Sequence, residues 1–350
     1  MSDPLAPYDA MMLVSFGGPE GPNDVLGFME NVTRGRGIPA ERLLEVSAHY
    51  ARFGGVSPIN GQNRALLEAM RAAFTAQGID VPISWGNRHW TPFIADALGD
   101  VAARGATRVL AFVTSAYSSA SGCRQYREDI ETARLGLGPD APIVDKVRVF
   151  YNHPGFVVPM AEHTAAALRS LPGGAEVAFT AHSIPQSMAD TSDYVAQLHE
   201  TCALIMSSLG PPGERRHDLV FQSRSGAPGQ PWLEPDIGDH LRARHRDGAT
   251  GVAIVPIGFI SDHMEVVWDL DTQAAETAAE LGLAIVRAAT VGTDPRFVAM
   301  IVGLALERAA TARHEDPIRV ALGTRGANHD VCPASCCPMP TRPTPAGRLR

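Results

Sequence analysis

Side chains that could hold a divalent metal or move protons are concentrated in the segment Pro256–Asp271, which reads PIGFISDHMEVVWDLD. On a helix starting near Ser261, Glu265 and Asp269 are four residues apart, so both carboxylates lie on one face. Together with His263 they offer the oxygen and imidazole ligands that suit a divalent ion. The alternative is a helix N-cap at the start of this run followed by a solvated acidic face, which explains only part of the pattern.

A second histidine, His182, lies just past an apolar run and is followed by Ser183 and by Ile184–Pro185, which turn the chain away. An imidazole at the carboxyl end of a strand can accept a proton near neutral pH. The alternative is a structural histidine whose ring is satisfied by neighbouring groups. The position favours a proton acceptor.

Five cysteines form an odd set, three of them clustered near the C-terminus as Cys332-x3-Cys336-Cys337. In a reducing compartment such a cluster favours metal binding or catalysis over disulfides. The pair His263-x-Glu265 followed by cysteines is superficially similar to a zinc deaminase, but that pattern has a proline before its cysteines and is rejected here. Cys202, within an apolar helical segment, is expected to pack in the core.

The elements that must position these residues alternate between short β-rich runs and amphipathic segments, a pattern typical of βαβ units with parallel sheets. Eight strands are expected, at Met11–Phe16, Ile83–Trp85, Arg108–Thr114, Val147–Tyr151, Val177–Thr180, Leu219–Gln222, Val252–Ile257 and Ala284–Arg287. Helices are expected at Arg64–Ala76, Pro92–Ala103, Val157–Leu171, Tyr194–Ser208 and Glu265–Leu281. In open α/β sheets ligands lie beyond the carboxyl ends of the strands, where His182 and the acidic segment fall.

The strands divide into four and four around Tyr151–Pro154. This predicts two similar α/β domains facing each other, over residues 8–150 and 151–326, and a Cys- and Pro-rich tail over residues 327–350. The GGP turn at Gly17–Pro19 ends the first strand. It is expected either to let a ligand approach the backbone or to be an ordinary strand-to-loop turn.

Composition excludes several classes of function. The chain has 350 residues and a net charge of −8 without long runs of like charge, so a nucleic-acid partner is not expected. The longest apolar stretch has ten residues, Gly251–Ile260, and the N-terminus has no apolar core. No membrane span or signal peptide is therefore expected, and the protein is expected to be soluble and cytoplasmic. The usual nucleotide-binding glycine motifs and a GxSxG elbow are missing from the sequence.

A specific resemblance covers Met11 to about Ala321. The pieces LVSFGGPEGP, NVTRGRGIP, FGGVSPING, SWGNRHWTPFI, TSAYSS, FTAHSIP, QSRSG and PIGFISDHMEVVWDLD, in this order, resemble the ferrochelatase family. The resemblance implies two Rossmann-like domains, each with a four-stranded parallel sheet flanked by helices, and a porphyrin cleft between them. It implies His182 as catalytic base and iron contact, Glu265 opposite it, and Asp269 on an acidic path for Fe²⁺. Gln273 stands where some relatives continue that path with another acid.

The resemblance also points to residues that would contact the porphyrin. Apolar and aromatic candidates for the wall are Phe16, Ile59, Trp90 and Tyr117, and candidates for pairing the propionates are Arg34, Arg36 and Arg52. Core packing and a solvated surface are the respective alternatives. Some relatives have a tyrosine at position 16, but Phe16 cannot ligate iron, so axial contact is expected from His182 or solvent.

The implied reaction is insertion of Fe²⁺ into a porphyrin with release of two protons, as a lyase of haem biosynthesis. The composition, in which Lys146 is the only lysine, and the CPASCC tail resemble actinobacterial members. They imply coproporphyrin III as substrate, a downstream coprohaem decarboxylase as partner, and a monomer. Protoporphyrin IX as substrate, a sirohydrochlorin-type chelatase and a non-enzymatic haem or metal carrier remain the alternatives.

Cys123, Cys332, Cys336 and Cys337 make a set of four thiolates. Such quartets hold either a 2Fe–2S cluster or structural zinc. The spacing does not choose between them, and the resemblance implies the 2Fe–2S cluster. It is expected to order the tail rather than to take part in catalysis.

Overall fold

The fold, seen in a computed structural model, contains two four-stranded parallel sheets with strand orders β2-β1-β3-β4 and β6-β5-β7-β8. Residues 3–35, 40–211, 213–226 and 229–339 are described, with Ala40 and Arg42 described by backbone alone. The strands are β1 Ala10–Ser15, β2 Ile83–Asn87, β3 Arg108–Val113, β4 Ile143–Lys146, β5 Glu176–His182, β6 His217–Gln222, β7 Gly251–Val255 and β8 Ala284–Arg287. The predicted class, α/β with two parallel sheets, is confirmed.

Helices cover the faces of both sheets. They are α1 Val25–Thr33, α2 Ala40–Ala51, α3 Ile59–Ala76, α4 Ile94–Ala103, α5 Gln125–Leu137, α6 Pro154–Arg169, α7 Gln186–Ala189, α8 Tyr194–Ser207, α9 Ile237–Arg246, α10 Met264–Trp268, α11 Ala275–Leu281 and α12 Pro295–Ala312. Two π-helical segments, Ala120–Arg124 and Asp269–Ala274, precede α5 and join α10 to α11. No helix in the described ranges is long and apolar enough to cross a membrane.

The fourth strand differs from the prediction. The sheet uses Ile143–Lys146, and the predicted strand Val147–Tyr151 follows it as irregular backbone. Val147 donates one hydrogen bond to Ala111, after which the chain leaves β3. The run is apolar because Val149, Phe150 and Tyr151 are buried in the core between the two sheets, where sheet pairing is not needed.

One continuous core joins the two halves. Helix α12, near the C-terminal end of the second half, packs against α3 of the first half as well as α6. Phe112, Phe150, Phe156 and Phe297 form a chain of ring contacts through this region. The two sheets are therefore held as a single packed unit with a cleft at one end.

The helix carrying the acidic segment begins between the two starts expected from the sequence, near Ser261 and at Glu265. It starts at Met264, with His263 rather than Ser261 or Asp262 as N-cap, because the His263 ring accepts a hydrogen bond from the Glu265 backbone N–H. It also changes to π geometry from Asp269, where an uninterrupted α-helix was expected.

Candidate active site

His182 ends β5, the central strand of the second sheet, and pairs in register with Gln222 of β6. Its Nδ1 makes a short hydrogen bond to the Ser183 carbonyl, so this nitrogen carries the proton and Nε2 keeps a lone pair. Tyr194 donates to the His182 carbonyl over 3.0 Å and fixes the strand end from behind. The ring is only partly exposed and presents Nε2 toward the cleft.

Glu265 faces this nitrogen from the first turn of α10. Its Oε2 lies 3.6 Å from His182 Nε2 and 3.9 Å from His263 Nδ1. Partial loss of hydration in the cleft would raise the pKa of Glu265, whose side chain is 47% exposed, but the two imidazoles, His182 first, outweigh this and lower it to about 2. Burial would likewise lower the pKa of His182, whereas the Glu265 charge and hydrogen bond raise it above its usual value. The pair therefore joins a carboxylate to a readily protonated imidazole.

Asp269 lies one turn further along, behind Glu265. Its Oδ2 accepts a short hydrogen bond from Ser223 and a longer one, 3.4 Å, from Gln222 Nε2. Burial, with the nearby Glu265 charge, raises the pKa of Asp269 to about 7 even though the hydrogen bonds from Ser223 and Gln222 lower it. This carboxyl can take up or release a proton near neutral pH.

His263 supports the turn rather than facing His182 as a second base. It caps α10, and its ring packs edge-on against Phe259 with centroids 4.5 Å apart. Burial is the largest reason that its pKa is lowered, and the His182 ring adds to the effect.

An aromatic cluster from both halves lines the cleft beside these groups. It contains Val25, Phe28, Met29, Tyr50 and Met264 as buried members and Phe16, Val32, Leu43, Val46, Phe53, Trp90 and Trp268 as partly buried members. Phe16 packs edge-on against Phe28, which also contacts Trp90. The cluster places these apolar faces next to Glu265, since Met264 immediately precedes it and burial, with the Glu265 charge, raises the pKa of Tyr50.

The other residues expected to touch a porphyrin lie in different surroundings. Ile59 is buried at the start of α3, under the turn at Gly18, and Tyr117 is 2% exposed in the core with its hydroxyl donating to the Ile257 carbonyl. These positions fit the core alternative. Arg34 is exposed and bonds to Asn31, and Arg36 lies outside the described residues.

Arg52 spans the cleft opening. Its guanidinium lies 3.3 Å from Glu276 Oε1 of α11 and 5.3 Å from the centre of the Trp268 ring. With Asp271 this pair lines an open groove of about 480 Å³ between the halves. Arg52 is thus available at the mouth of the cleft, where a substrate carboxylate would compete with Glu276.

The GGP turn is required by the protein's own packing. Gly17 has φ +82°, and a Cβ there would lie 2.7 Å from Asn87 Cβ. A Cβ on Gly18 would lie 2.7 Å from Ser57 Cβ. The glycines let the end of β1 pass against the end of β2 and the start of α3, which holds Phe16 at the cleft.

The four expected thiols meet at one small cavity away from His182. It is lined by Cys123, Cys332, Cys336, Cys337, Arg124 and Arg127. All five cysteines lie in the described ranges and are free. Cys123 is in the π segment before α5, and Cys336 Sγ lies 3.6 Å from Cys337 Sγ. Cys202 is buried in α8, apart from this set, as expected.

The surroundings of Cys123 lower the pKa of its thiol. The Cys332 thiol donates to it and, against the opposing effect of burial and with the Lys146 cation nearby, lowers the pKa of Cys123 to about 5. Burial, with the Cys336 thiol, raises the pKa of Cys337 to about 12. A bound metal would remove these differences by taking all four as thiolates.

Sequence reasoning assigned no role to three contributors to the cleft, although Ser223 follows a predicted strand and Gln222–Ser223 belong to the QSRSG piece. Gln222 and Ser223, from the loop after β6, hold Asp269, and Tyr50 of α2 approaches Glu265. The strand-end position of Gln222–Ser223 was a usable signal. Tyr50 carried none, because its contact with Glu265 depends on how the two halves pack.

Comparison with known proteins agrees with the geometry. The sequence profile described as Ferrochelatase matches residues 8–309. A "Coproporphyrin III ferrochelatase" of Streptomyces coelicolor is 52% identical over 98% of this chain and 96% of its own length. A "Ferrochelatase" of Rhodopirellula baltica is also 52% identical, over 98% of this chain and 97% of its own length.

Among solved structures, SirB from Bacillus subtilis with Fe³⁺ aligns with a TM-score of 0.53 and 13% identity. The alignment covers 87% of this chain and 97% of SirB, and at that identity it supports the two-sheet fold alone. The family match over most of the chain, the two parallel sheets and the paired histidine and carboxylate at their carboxyl ends lead to one conclusion: this chain belongs to the ferrochelatase family of metal chelatases.

Proposed function

We propose that the chain inserts Fe²⁺ into coproporphyrin III, releasing two protons and forming coprohaem in haem biosynthesis. The observation that carries the proposal is His182 Nε2 facing Glu265 Oε2 across 3.6 Å, beside an aromatic cluster built by both halves. Relatives named for coproporphyrin III, such as that of Streptomyces griseus at 52% identity, support this porphyrin over protoporphyrin IX.

The chemistry needs a base on one side of the ring. A free-base porphyrin holds two N–H protons in a plane that iron cannot enter until both protons leave. His182 accepts them one at a time at Nε2, because Nδ1 is committed to the Ser183 carbonyl, and each proton passes on to the Glu265 carboxylate and then to solvent before the next is taken up. Glu265 stabilises the imidazolium that results, and its carboxylate also offers an oxygen ligand to the arriving Fe²⁺.

Asp269 lies behind Glu265 and is the next carboxylate on the path of iron and protons. With a pKa of about 7, it passes between neutral and charged forms as iron approaches and protons depart. Ser223 and Gln222 keep its Oδ2 in place. We therefore assign iron binding to His182, Glu265 and Asp269, with Fe²⁺ as substrate rather than as a resident cofactor.

The aromatic cluster binds the macrocycle. Phe16 and Trp90 contact the ring face, and binding energy from such remote contacts bends the macrocycle toward the geometry in which pyrrole lone pairs are exposed. Arg34 and Arg52 pair carboxylates at the rim, where coproporphyrin has four propionates. Arg52 exchanges Glu276 for a propionate as the substrate enters.

The test of this function is a comparison of porphyrins and of one variant. Purified enzyme should insert Fe²⁺ into coproporphyrin III faster than into protoporphyrin IX and release two protons per porphyrin. His182→Ala should still bind porphyrin, as measured by quenching of the protein's tryptophan fluorescence. Its rate of iron insertion should fall by at least ~10²-fold, the scale of general-base catalysis. Faster use of protoporphyrin IX would overturn the substrate, near-normal turnover of the variant would overturn the base, and binding without proton release would indicate a carrier.

For the cysteine site we propose a 2Fe–2S cluster held by Cys123, Cys332, Cys336 and Cys337. The donor set fits, since the four free thiols line one cavity beside the cations Arg124 and Arg127. When bound, the cluster would supply a one-electron centre and a cross-link between the π segment before α5 and the tail. Free thiols of this kind suit a reducing compartment, so we place the enzyme in the cytoplasm, as a monomer that passes coprohaem to a decarboxylase.

Colour and iron content test the cluster. The purified protein should be reddish, with two non-haem irons and two sulfides per chain. Cys202→Ser should leave the colour unchanged because Cys202 packs inside α8. Changing Cys123 to Ser should bleach the protein and lower its stability. A colourless protein as purified, or colour retained in the Cys123 variant, would contradict the assignment.

A further inference from the structure

The cysteine cavity has a fifth potential ligand that the four-thiol set does not use. A ring nitrogen of His329 and the sulfurs of Cys332 and Cys336 all lie within 4.8 Å of one another. Cys337 Sγ lies 3.6 Å from Cys336 Sγ. One imidazole and two thiols are thus brought together without Cys123, and the third thiol, Cys337, lines the same cavity beside Cys336, all within a single stretch of nine residues.

We infer that His329, Cys332, Cys336 and Cys337 form a binding site for a single Zn²⁺ ion. Three thiolates and one imidazole are an established tetrahedral donor set for zinc. A Zn–S bond of about 2.3 Å places tetrahedral sulfurs about 3.8 Å apart, close to the 3.6 Å between Cys336 Sγ and Cys337 Sγ. The inference does not rest on the proposed cluster, because the site requires neither Cys123 nor sulfide.

The backbone around the site is already shaped for this role. The Cys336 N–H donates to the Pro333 carbonyl over 3.0 Å, which closes a turn between Cys332 and Cys336. Cys337 then takes φ +48°, an uncommon conformation for a residue other than glycine, and this turns its side chain back into the cavity. The strain is localised at a residue whose side chain the site uses.

Two arginines of the first half hold this stretch by its carbonyls and leave its sulfurs free. Arg124 Nη1 donates to the Cys336 carbonyl over 3.2 Å, and Arg127 Nη1 donates to the Cys332 carbonyl over 3.3 Å. A Zn²⁺ ion with three thiolates and a neutral imidazole carries one net negative charge, which these cations balance. The site is therefore compatible in charge as well as in geometry.

The 2Fe–2S cluster and the Zn²⁺ ion cannot be bound at the same time. Both require Cys332, Cys336 and Cys337, but the cluster adds Cys123 whereas zinc adds His329. Because Zn²⁺ binds nitrogen and sulfur sites more tightly than Fe²⁺, a chain that meets free zinc before cluster assembly is captured in the zinc form. His329, exposed at the edge of the cavity, decides between the two forms.

Cobalt(II) provides a spectroscopic probe. Metal-free Cys123→Ser chain, titrated with Co²⁺, should bind one ion per chain with the intense visible bands of a tetrahedral sulfur-rich site, and Zn²⁺ should displace it stoichiometrically. Adding His329→Ala should weaken Zn²⁺ binding by at least about tenfold. His245→Ala, an exposed histidine in α9, is the matched control and should change nothing.

Cys123→Val, which keeps an apolar side chain at that buried position, keeps the inference testable if Cys123→Ser folds poorly. Adding His329→Ala to Cys123→Val should weaken Zn²⁺ binding by metal-free protein, whereas His329→Ala in the otherwise native chain should leave the iron and sulfide content of cluster-loaded protein unchanged. Unaltered zinc affinity when His329→Ala is added to either Cys123 variant overturns the inference, as does a Cys123 variant that folds but binds no Co²⁺. A native chain without iron or sulfide contradicts only the cluster, because zinc binding would persist.

Discussion

At the scale of single residues, two neighbouring groups control different properties of His182, its tautomer and its affinity for a proton. The Ser183 carbonyl fixes the tautomer of His182, and Glu265 sets how readily its free nitrogen holds a proton. His182 and Glu265 could be singled out from the sequence because each lies in a distinctive motif, His182 at the end of a strand and Glu265 in the segment after one. The contacts of Ser223 and Gln222 with Asp269 could not, since they join segments more than 40 residues apart through the fold.

The pH dependence of His182 follows from this arrangement. Burial would lower the pKa of His182, and the Glu265 carboxylate more than offsets it, so the pKa lies above its usual value. A proton acceptor must be neutral, so insertion should rise with pH through this pKa. Glu265→Gln removes the charge, so the histidine pKa should fall. The acidic limb of the remaining activity should then move to lower pH, while turnover falls strongly.

Nuclear magnetic resonance titration of the His182 ring in the substrate-free protein measures the same shift directly. A conservative control is Glu276→Gln, which removes a carboxylate from the cleft mouth rather than from His182. Equal histidine pKa values in the native chain and in Glu265→Gln would show that Glu265 does not act on the base.

At the scale of elements, both special sites use π-helical turns. Asp269 is the first residue of one π segment and Cys123 lies within the other. Such turns are rare and are frequent at functional sites, because the extra residue changes the direction in which the following side chains point. Hydrophobic periodicity predicts the helix Glu265–Leu281 but does not reveal that part of it is a π-helix. The sequence likewise gives no sign that Ser223 adopts φ +63°.

Ser223 should tune the acidity of Asp269. Its hydroxyl is the main group lowering the pKa of Asp269, which burial raises to about 7. Ser223→Ala should therefore raise that pKa further, leave more Asp269 protonated at neutral pH, and increase the apparent KM for Fe²⁺ with little change in kcat. Asp269→Asn should give a larger increase. Steady-state kinetics with varied iron at fixed porphyrin measures both.

The matched control is Ser225→Ala, an exposed serine two residues further along the same loop. It should leave the KM for iron unchanged. An unchanged KM in Ser223→Ala and Asp269→Asn alike would favour a merely solvated acidic face over an iron path.

At the scale of the whole molecule, the cleft is formed by two halves that a common core holds together. The four-plus-four strand pattern could be predicted because each strand is a short apolar run. The prediction of the fourth strand was wrong for a physical reason. Val149, Phe150 and Tyr151 are apolar because they pack in the core shared by the two halves, not because they form a strand. The packing of α12 on α3 could not be predicted from the sequence either, because it joins distant segments of the chain. The domain boundary at residue 150 stays a prediction.

A buried ion pair secures this joint. Arg148, 1% exposed at its side chain, donates through Nε to Glu307 Oε1 over 2.6 Å and through Nη2 to the Val320 carbonyl over 2.9 Å. Glu307 lies on α12, so the pair ties the chain between the sheets to that helix. Removing one member of such a pair leaves an uncompensated buried charge, which costs about 3–5 kcal/mol.

Glu307→Ala should therefore lower the free energy of unfolding of the entire molecule by that amount, in one transition. Trp85 and Trp90 in the first half and Trp232 and Trp268 in the second report on both sheets by fluorescence. Urea curves from fluorescence and far-ultraviolet circular dichroism should coincide and shift together. Glu315→Ala, which breaks an exposed pair with Arg313, is the control and should not shift the midpoint measurably. Two separate transitions, with only one displaced in Glu307→Ala, would mean that the halves fold independently and that α12 does not join them.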